Sequence, residues 1–191
     1  ALGTGTAIGT VAITGSTVAL GGTVTLASSK TLTVTNSGVW TIGAVTITAP
    51  GGITENGTSS TTLSGDATLA TTNAGVTFGG VINGSGNLTI TAGTGAISLS
   101  ALGTGTEIGT VDITGSTVDL GGTVTIDTGD SLTITNSGVW SIGAVTITAP
   151  AGVTQDGAST TTLTGNAVLA TSNSAVTFGQ VVNGTFDLTV T

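Results

Sequence analysis

The side chains of this chain that could do chemistry are almost all carboxylates. Nine acidic residues stand against a single basic one, Lys30, so the formal net charge is −8 at neutral pH. The chain contains no His, Cys or Tyr. Acid–base and nucleophilic catalysis draw heavily on these missing side chains. Clustered carboxylates, which some β-helix enzymes use to cut polysaccharides, are the catalytic arrangement that remains to be weighed.

Four of the carboxylates fall within a short stretch of the second half of the chain: Asp112, Asp119, Asp127 and Asp130. The residues 100 positions earlier are Ala12, Ala19, Ala27 and Lys30, in otherwise similar surroundings. The same scaffold therefore exists with and without these acids. We expect a solvated acidic surface, which is the usual role of such a run, and we predict that the chain is not an enzyme.

The turn Asp127-Thr128-Gly129-Asp130 is the one candidate metal site, with Asp127 and Asp130 as its ligands. Two carboxylates around a Gly turn supply the oxygen ligands that Ca²⁺ prefers. Neither the EF-hand loop nor the calcium-binding nonapeptide repeat is present. We predict no cofactor other than this candidate calcium ion.

The strands and turns that position these residues belong to a tandem repeat. Residues 101–191 align without a gap to residues 1–91, and 62 of the 91 pairs are identical. Copies this similar are typical of repeat arrays, in which each unit stacks on its neighbour. We expect residues 1–100 to form one repeat and residues 101–191 a truncated second copy, stacked as one continuous solenoid.

Short strands are indicated throughout, because apolar residues alternate with polar ones between Gly, Ser and Asn turns. Only 5% of the residues are charged, and strong helix formers are almost absent. The two copies show which phase is buried. Ala12 becomes Asp112 between two apolar neighbours, whereas Leu26 becomes Ile126. Charge appears on one strand face only, which predicts that the other face is the core.

Strands this short and this poor in aromatic residues favour an all-β fold, a right-handed parallel β-helix or β-solenoid. About five coils of about 20 residues would fill each repeat, and the rod would advance about 24 Å per repeat. The alternative is a row of immunoglobulin-like β-sandwiches, since about 100 residues is the usual size of that domain.

Two aromatic pairs recur with the period, Trp40 and Trp140 and also Phe78 and Phe178. We predict that all four pack in the core. The alternative for the tryptophans is that they form platforms on which carbohydrate stacks.

Thr-x-Thr motifs, as in Thr23-Val24-Thr25, also recur 100 residues later. Ranks of such motifs on a flat solenoid face are a hallmark of some ice-binding proteins. Successive motifs here lie 10, 13 and 43 residues apart, so we expect no regular rank. Ice binding is accordingly a remote alternative.

Three stretches resemble the repeats of filamentous-haemagglutinin-like bacterial exoproteins: Val76–Thr91, Thr62–Leu69 and Ser131–Gly138. The resemblance extends over the whole chain and lies in its composition and in its pattern of short apolar and polar segments. It implies a right-handed parallel β-helix stalk that is exported to the surface of a Gram-negative cell and used for adhesion or as a spacer.

We therefore expect a structural repeat segment of a large secreted or cell-surface bacterial protein, acting as an adhesin stalk or extracellular filament. Its partners would be neighbouring repeats, further copies joined end to end or side by side, or glycans on a host or partner cell. An adhesive module that binds carbohydrate or calcium is the alternative. With no basic patch, we expect no contact with nucleic acid and no membrane insertion.

Overall fold

The computed structural model describes residues 1–191 as a β-solenoid with 25 strands and no helix. All strand pairs are parallel, and the chain makes about nine turns of about 21 residues each. Each turn crosses three faces in a fixed order. The strands of each face stack along the axis and pair through their backbones. Tandem sandwiches are excluded because their strands pair in antiparallel fashion.

The first face is a nine-stranded sheet. Its strands are β1 (Val11–Gly15), β4 (Thr31–Asn36), β7 (Gly52–Glu55), β10 (Val76–Phe78), β13 (Ile97–Leu99), β15 (Val118–Leu120), β18 (Trp140–Ile142), β21 (Thr161–Leu163) and β24 (Val182–Asn183).

The second face consists of two four-stranded sheets joined through Leu102, which bridges Ile82 and Val124. Its strands are β2 (Val18–Leu20), β5 (Trp40–Ile42), β8 (Thr61–Leu63), β11 (Ile82–Asn83), β16 (Val124–Thr125), β19 (Thr146–Thr148), β22 (Ala167–Ala170) and β25 (Leu188–Val190).

The third face is an eight-stranded sheet. Its strands are β3 (Val24–Thr25), β6 (Val45–Thr48), β9 (Ala67–Ala70), β12 (Leu88–Thr91), β14 (Val111–Gly115), β17 (Leu132–Asn136), β20 (Val153–Gln155) and β23 (Val176–Phe178).

The core is a single narrow column of apolar side chains, because every strand points alternate residues inward. It contains 42 buried apolar residues from both copies and has no break between the copies. In β4, for example, Leu32 and Val34 are buried, and Thr33 and Thr35 lie on the outside. The predicted inward phase is confirmed.

The repeat does not contain a whole number of turns, which corrects the expected five coils of about 20 residues. Paired residues on adjacent strands lie 21 to 23 positions apart, as for Val11 and Leu32 or Leu88 and Val111. Counting face by face, fourteen steps of one third of a turn separate β1 from β14, or four and two-thirds turns. Corresponding strands of the two copies therefore lie on different faces. β1 belongs to the first face and β14 to the third.

Candidate functional site

The molecule has no pocket, so its candidate sites are its three outer faces and the corners between them. The carboxylates that lie close in sequence are separated in space by this geometry. Asp112 lies on the third face between Thr89 and Thr133. Asp119 lies on the first face between Ser98 and Ser141. The structure thus spreads these acids over two faces, and nowhere do three His, Cys, Asp or Glu side chains cluster as a metal site would need.

The candidate calcium turn lies between Ile126 and β17 and is closed by the Asp130 amide, which donates to the Asp127 carbonyl at 3.1 Å. Gly129 has a φ of +91°, a conformation that suits glycine. Each carboxylate already has a protein donor. Asp127 Oδ1 accepts from the Thr128 amide at 2.6 Å, and Asp130 Oδ1 accepts from the Thr110 hydroxyl at 2.6 Å. The two side chains are therefore turned toward different partners.

The aromatic pairs lie inside the rod. Trp40 and Trp140 have no exposed surface. Trp40 stacks on Phe78 with ring centroids 5.5 Å apart, and Trp140 stacks on Phe178 at 6.2 Å. Phe178 is only half-buried because the last turn leaves it partly uncovered. Neither indole presents a face on which a sugar ring could stack.

A rank of threonines runs along the third face, contrary to the irregular spacing expected from the sequence. Its members pair side by side on successive turns: Thr46, Thr68, Thr89, Asp112, Thr133, Thr154 and Thr177. The spacing of the Thr-x-Thr motifs does not reveal this rank, because three of its members, Thr68, Thr154 and Thr177, lie outside such motifs. The motif at Thr33 and Thr35, in turn, lies on the first face. When residues are aligned by strand pairing, each of these turns places one threonine next to that of the neighbouring turn. Asp112 is the only interruption of this row.

A buried polar corner, which the sequence analysis missed, lies at the end of β7. Glu55 is 1% exposed although no cationic side chain lies near it. Its Oε1 accepts from the Gly57 amide at 2.5 Å, and its Oε2 accepts from the Gly80 amide at 2.9 Å. Asn36 is buried beside it, and the Oδ1 atom of Asn36 has no hydrogen-bond partner.

The second copy builds the same corner with an amide. Gln155 takes the position of Glu55, and its Nε2 donates to Asn136 Oδ1 at 2.8 Å and to the Ser159 carbonyl at 3.2 Å. Its Oε1 accepts from the Gly179 amide at 3.1 Å. The signal in the sequence was the placement of Glu55 two residues after Ile53, on the inward phase, with a polar residue kept there in both copies.

The chain matches no protein-family model, no curated protein and no solved structure. The structure contains no helix long and apolar enough to cross a membrane. The molecule is a continuous rod with regular outer faces and buried polar corners, and it has no pocket.

Proposed function

We propose that this chain is a structural segment of a secreted or cell-surface protein, acting as a stalk or filament. The observation that carries the proposal is the continuity of the rod. The sheets pass from the first copy into the second through the pairing of β12 with β14 and of β13 with β15. A rod of this kind grows in length whenever a copy is added, because each turn contacts only its neighbours.

The composition supports a place outside the cell. A single Lys and no Arg leave almost no cleavage site for trypsin-like proteases, which suits a protein outside the cell. The resemblance to filamentous-haemagglutinin-like repeats favours an adhesin stalk on a Gram-negative cell. The buried tryptophans argue against an aromatic platform for sugar binding on this rod.

The test is rod length against repeat number, measured by electron microscopy on chains of two, four and six copies. Four and two-thirds turns at about 4.8 Å per turn give an increment of about 22 Å per copy. A beaded outline with increments of about 33 Å, roughly the diameter of a compact domain of this size, would contradict a continuous stalk.

Ice binding is a second candidate, which the threonine rank on the third face favours. Regular hydroxyls and methyl groups at a spacing of about 4.8 Å along the rod can order water in rows. Thermal hysteresis decides this candidate. The variant Asp112→Thr, which completes the rank, should increase the hysteresis, and Thr89→Lys should abolish it. Equal freezing behaviour of all three proteins would exclude ice binding.

A further inference from the structure

The peptide bond between Asn56 and Gly57 lies at the buried polar corner of the first copy and joins an exposed residue to a buried one. An Asn–Gly pair can cyclise, because the backbone nitrogen of the second residue attacks the side-chain amide of the first. Glycine has no Cβ atom to hinder this approach. The chain contains two further Asn–Gly pairs, at Asn83 and Asn183. Of the three glycine amides, only that of Gly57 donates to a carboxylate.

The contact between the Gly57 nitrogen and this carboxylate is close and fixed. The Gly57 amide donates to Glu55 Oε1 at 2.5 Å. The other oxygen, Oε2, accepts from the Gly80 amide at 2.9 Å, which sets the orientation of the carboxylate. A Cβ atom on residue 57 would overlap Glu55 Oε1 and Asn36 Oδ1, so the contact requires glycine. A carboxylate within hydrogen-bond distance of the proton that it would remove meets the geometric requirement for a general base.

The side chain of Asn56 lies on the solvent side of the corner. It is exposed, so water has access to it, and its backbone amide donates to the Val34 carbonyl at 2.9 Å. Asn83 differs in both respects. It is half-buried, and its Oδ1 accepts from the Gly105 amide at 2.8 Å. The chain therefore provides an Asn–Gly pair with a base and a matched pair without one.

We propose that Glu55 is the general base of a self-catalysed deamidation of Asn56. The Gly57 nitrogen attacks Asn56 Cγ while its proton passes to Glu55 Oε1. The bond from Cγ to the side-chain nitrogen then breaks, and that nitrogen takes the proton from Glu55 and leaves as ammonia. The carboxylate is restored, and the product is a five-membered succinimide. Water opens the ring at either carbonyl, which gives aspartate or isoaspartate at position 56.

The second copy shows that the corner accommodates an acid at the reacting position. Asp156 corresponds to Asn56 and is equally exposed. The base is absent from this corner, because Gln155 replaces Glu55 and its Oε1 accepts from the Gly179 amide. The reaction would therefore add one negative charge to the first copy, at a position where the second copy already carries one.

The experiment follows the Asn–Gly pairs of the 191-residue chain during incubation at neutral pH. Mass spectrometry of the digested chain measures the conversion of each asparagine to aspartate and isoaspartate. We expect Asn56 to react about 100-fold faster than Asn83, since a positioned general base contributes a factor of this order or more. In urea, where the unfolded chain no longer holds Glu55 against Gly57, the two rates should become similar.

Two variants isolate the contribution of the carboxylate. Glu55→Gln keeps the Asn–Gly pair and removes the base, so the rate at Asn56 should fall about 100-fold. Asp156→Asn creates an Asn–Gly pair at the second corner, beside Gln155, and this new pair should react as slowly as Asn83. Rapid reaction of the new pair would overturn the inference, because the corner alone would then suffice.

A more rigid corner is the competing explanation for a slow Glu55→Gln variant, since the new amide can donate to Asn36 Oδ1. The double variant Glu55→Gln with Asn36→Ala lacks both the base and this hydrogen bond, and its rate should stay low. Recovery of the original rate in the double variant would contradict a role for Glu55 as a base. So would an unchanged rate in Glu55→Gln, or a rate at Asn56 that is no higher in the folded chain than in urea.

Discussion

The polar corner of the first copy holds Glu55, and the same corner of the second copy holds Gln155. The amide donates to Asn136 and accepts from Gly179, so its hydrogen-bonding groups are used. The carboxylate only accepts, and it leaves Asn36 Oδ1 unpaired. The comparison shows that the corner presents both donors and acceptors to the central side chain, and that only Gln155 pairs with both kinds.

The turn that follows this corner also differs between the two copies. Gly80 donates its amide to Glu55, and a Cβ atom there would lie 1.7 Å from the Ser59 carbonyl oxygen. The second copy has Gln180 at this position, and its acceptor bond comes from Gly179 instead. The backbone of the first corner thus requires glycine at position 80, because the Ser59 carbonyl lies against it, whereas the second corner accommodates Gln180.

Removal of the buried indoles should give the largest difference between the copies. Trp40→Ala deletes a fully buried side chain stacked on the buried Phe78, and we expect a loss of about 3–5 kcal/mol in the free energy of unfolding. Trp140→Ala should cost less, since Phe178 is already half-exposed. Urea unfolding followed by far-UV circular dichroism measures both. Equal losses would mean that the last turn is as well packed as the interior.

Gln155→Glu should destabilise the second corner by about 3 kcal/mol. The change removes the donor to Asn136 Oδ1 and to the Ser159 carbonyl, and it buries a charge with no cation beside it. Urea unfolding at neutral pH checks the value. The control is Gln155→Leu, which removes the same bonds without adding a charge. The comparison between the corners would be wrong if Gln155→Glu were neutral.

Glu55→Gln should stabilise the first corner by about 1–2 kcal/mol. The new amide supplies the donor that Asn36 Oδ1 lacks, as Gln155 does for Asn136 in the second copy. The double variant Glu55→Gln with Asn36→Ala provides the control, because without the acceptor most of the gain should disappear. A loss of stability on Glu55→Gln alone would show that Gly57 and Gly80 together satisfy the carboxylate better than the amide does.

Substitutions at outward strand positions should change the free energy of unfolding least. Asp112→Ala and its counterpart Ala12→Asp exchange the residues of the two copies on exposed strand positions. We expect each to change the free energy of unfolding by less than about 0.5 kcal/mol. A larger cost for Ala12→Asp would contradict the assignment of this phase to solvent.

The inward phase could be predicted because two slightly different copies show where charge is tolerated. The parallel β-solenoid could be predicted because the strands are short and poor in aromatic residues. The length of a turn could not. Gly, Ser or Asn lies near the ends of most strands, so nothing in the sequence marks which turn changes direction and which completes a coil. The register comes instead from apolar side chains that stack on partners 21 to 23 residues away. A period of 100 residues therefore suggested a whole number of turns that the structure does not have.

The same limit applies to the candidate sites. The threonine rank could not be predicted from the spacing of the Thr-x-Thr motifs, because the number of residues in one turn was not known. Glu55 was missed because one polar residue on an apolar phase looks like an ordinary break in the pattern. Trp40 and Trp140 recur inside otherwise apolar segments, and this was enough to predict the positions that the structure shows in the core.

The rod continues through the junction, and the two copies are out of phase by one third of a turn. Because the chain contains no Cys, engineered disulfides can test this register. Two pairs of outward residues are neighbours across the junction, Thr91 with Thr114 and Ser98 with Asp119. Adjacent strands are about 4.8 Å apart, within the range that a disulfide can span.

The measurement is the rate of disulfide formation for these two double-cysteine variants and for the swapped pairs, Thr91 with Asp119 and Ser98 with Thr114. We expect rapid cross-linking within the chain for the two neighbouring pairs and none for the swapped pairs, whose members lie on different faces. Failure of both neighbouring pairs to cross-link, or equal rates for all four, would contradict the continuous, out-of-phase solenoid.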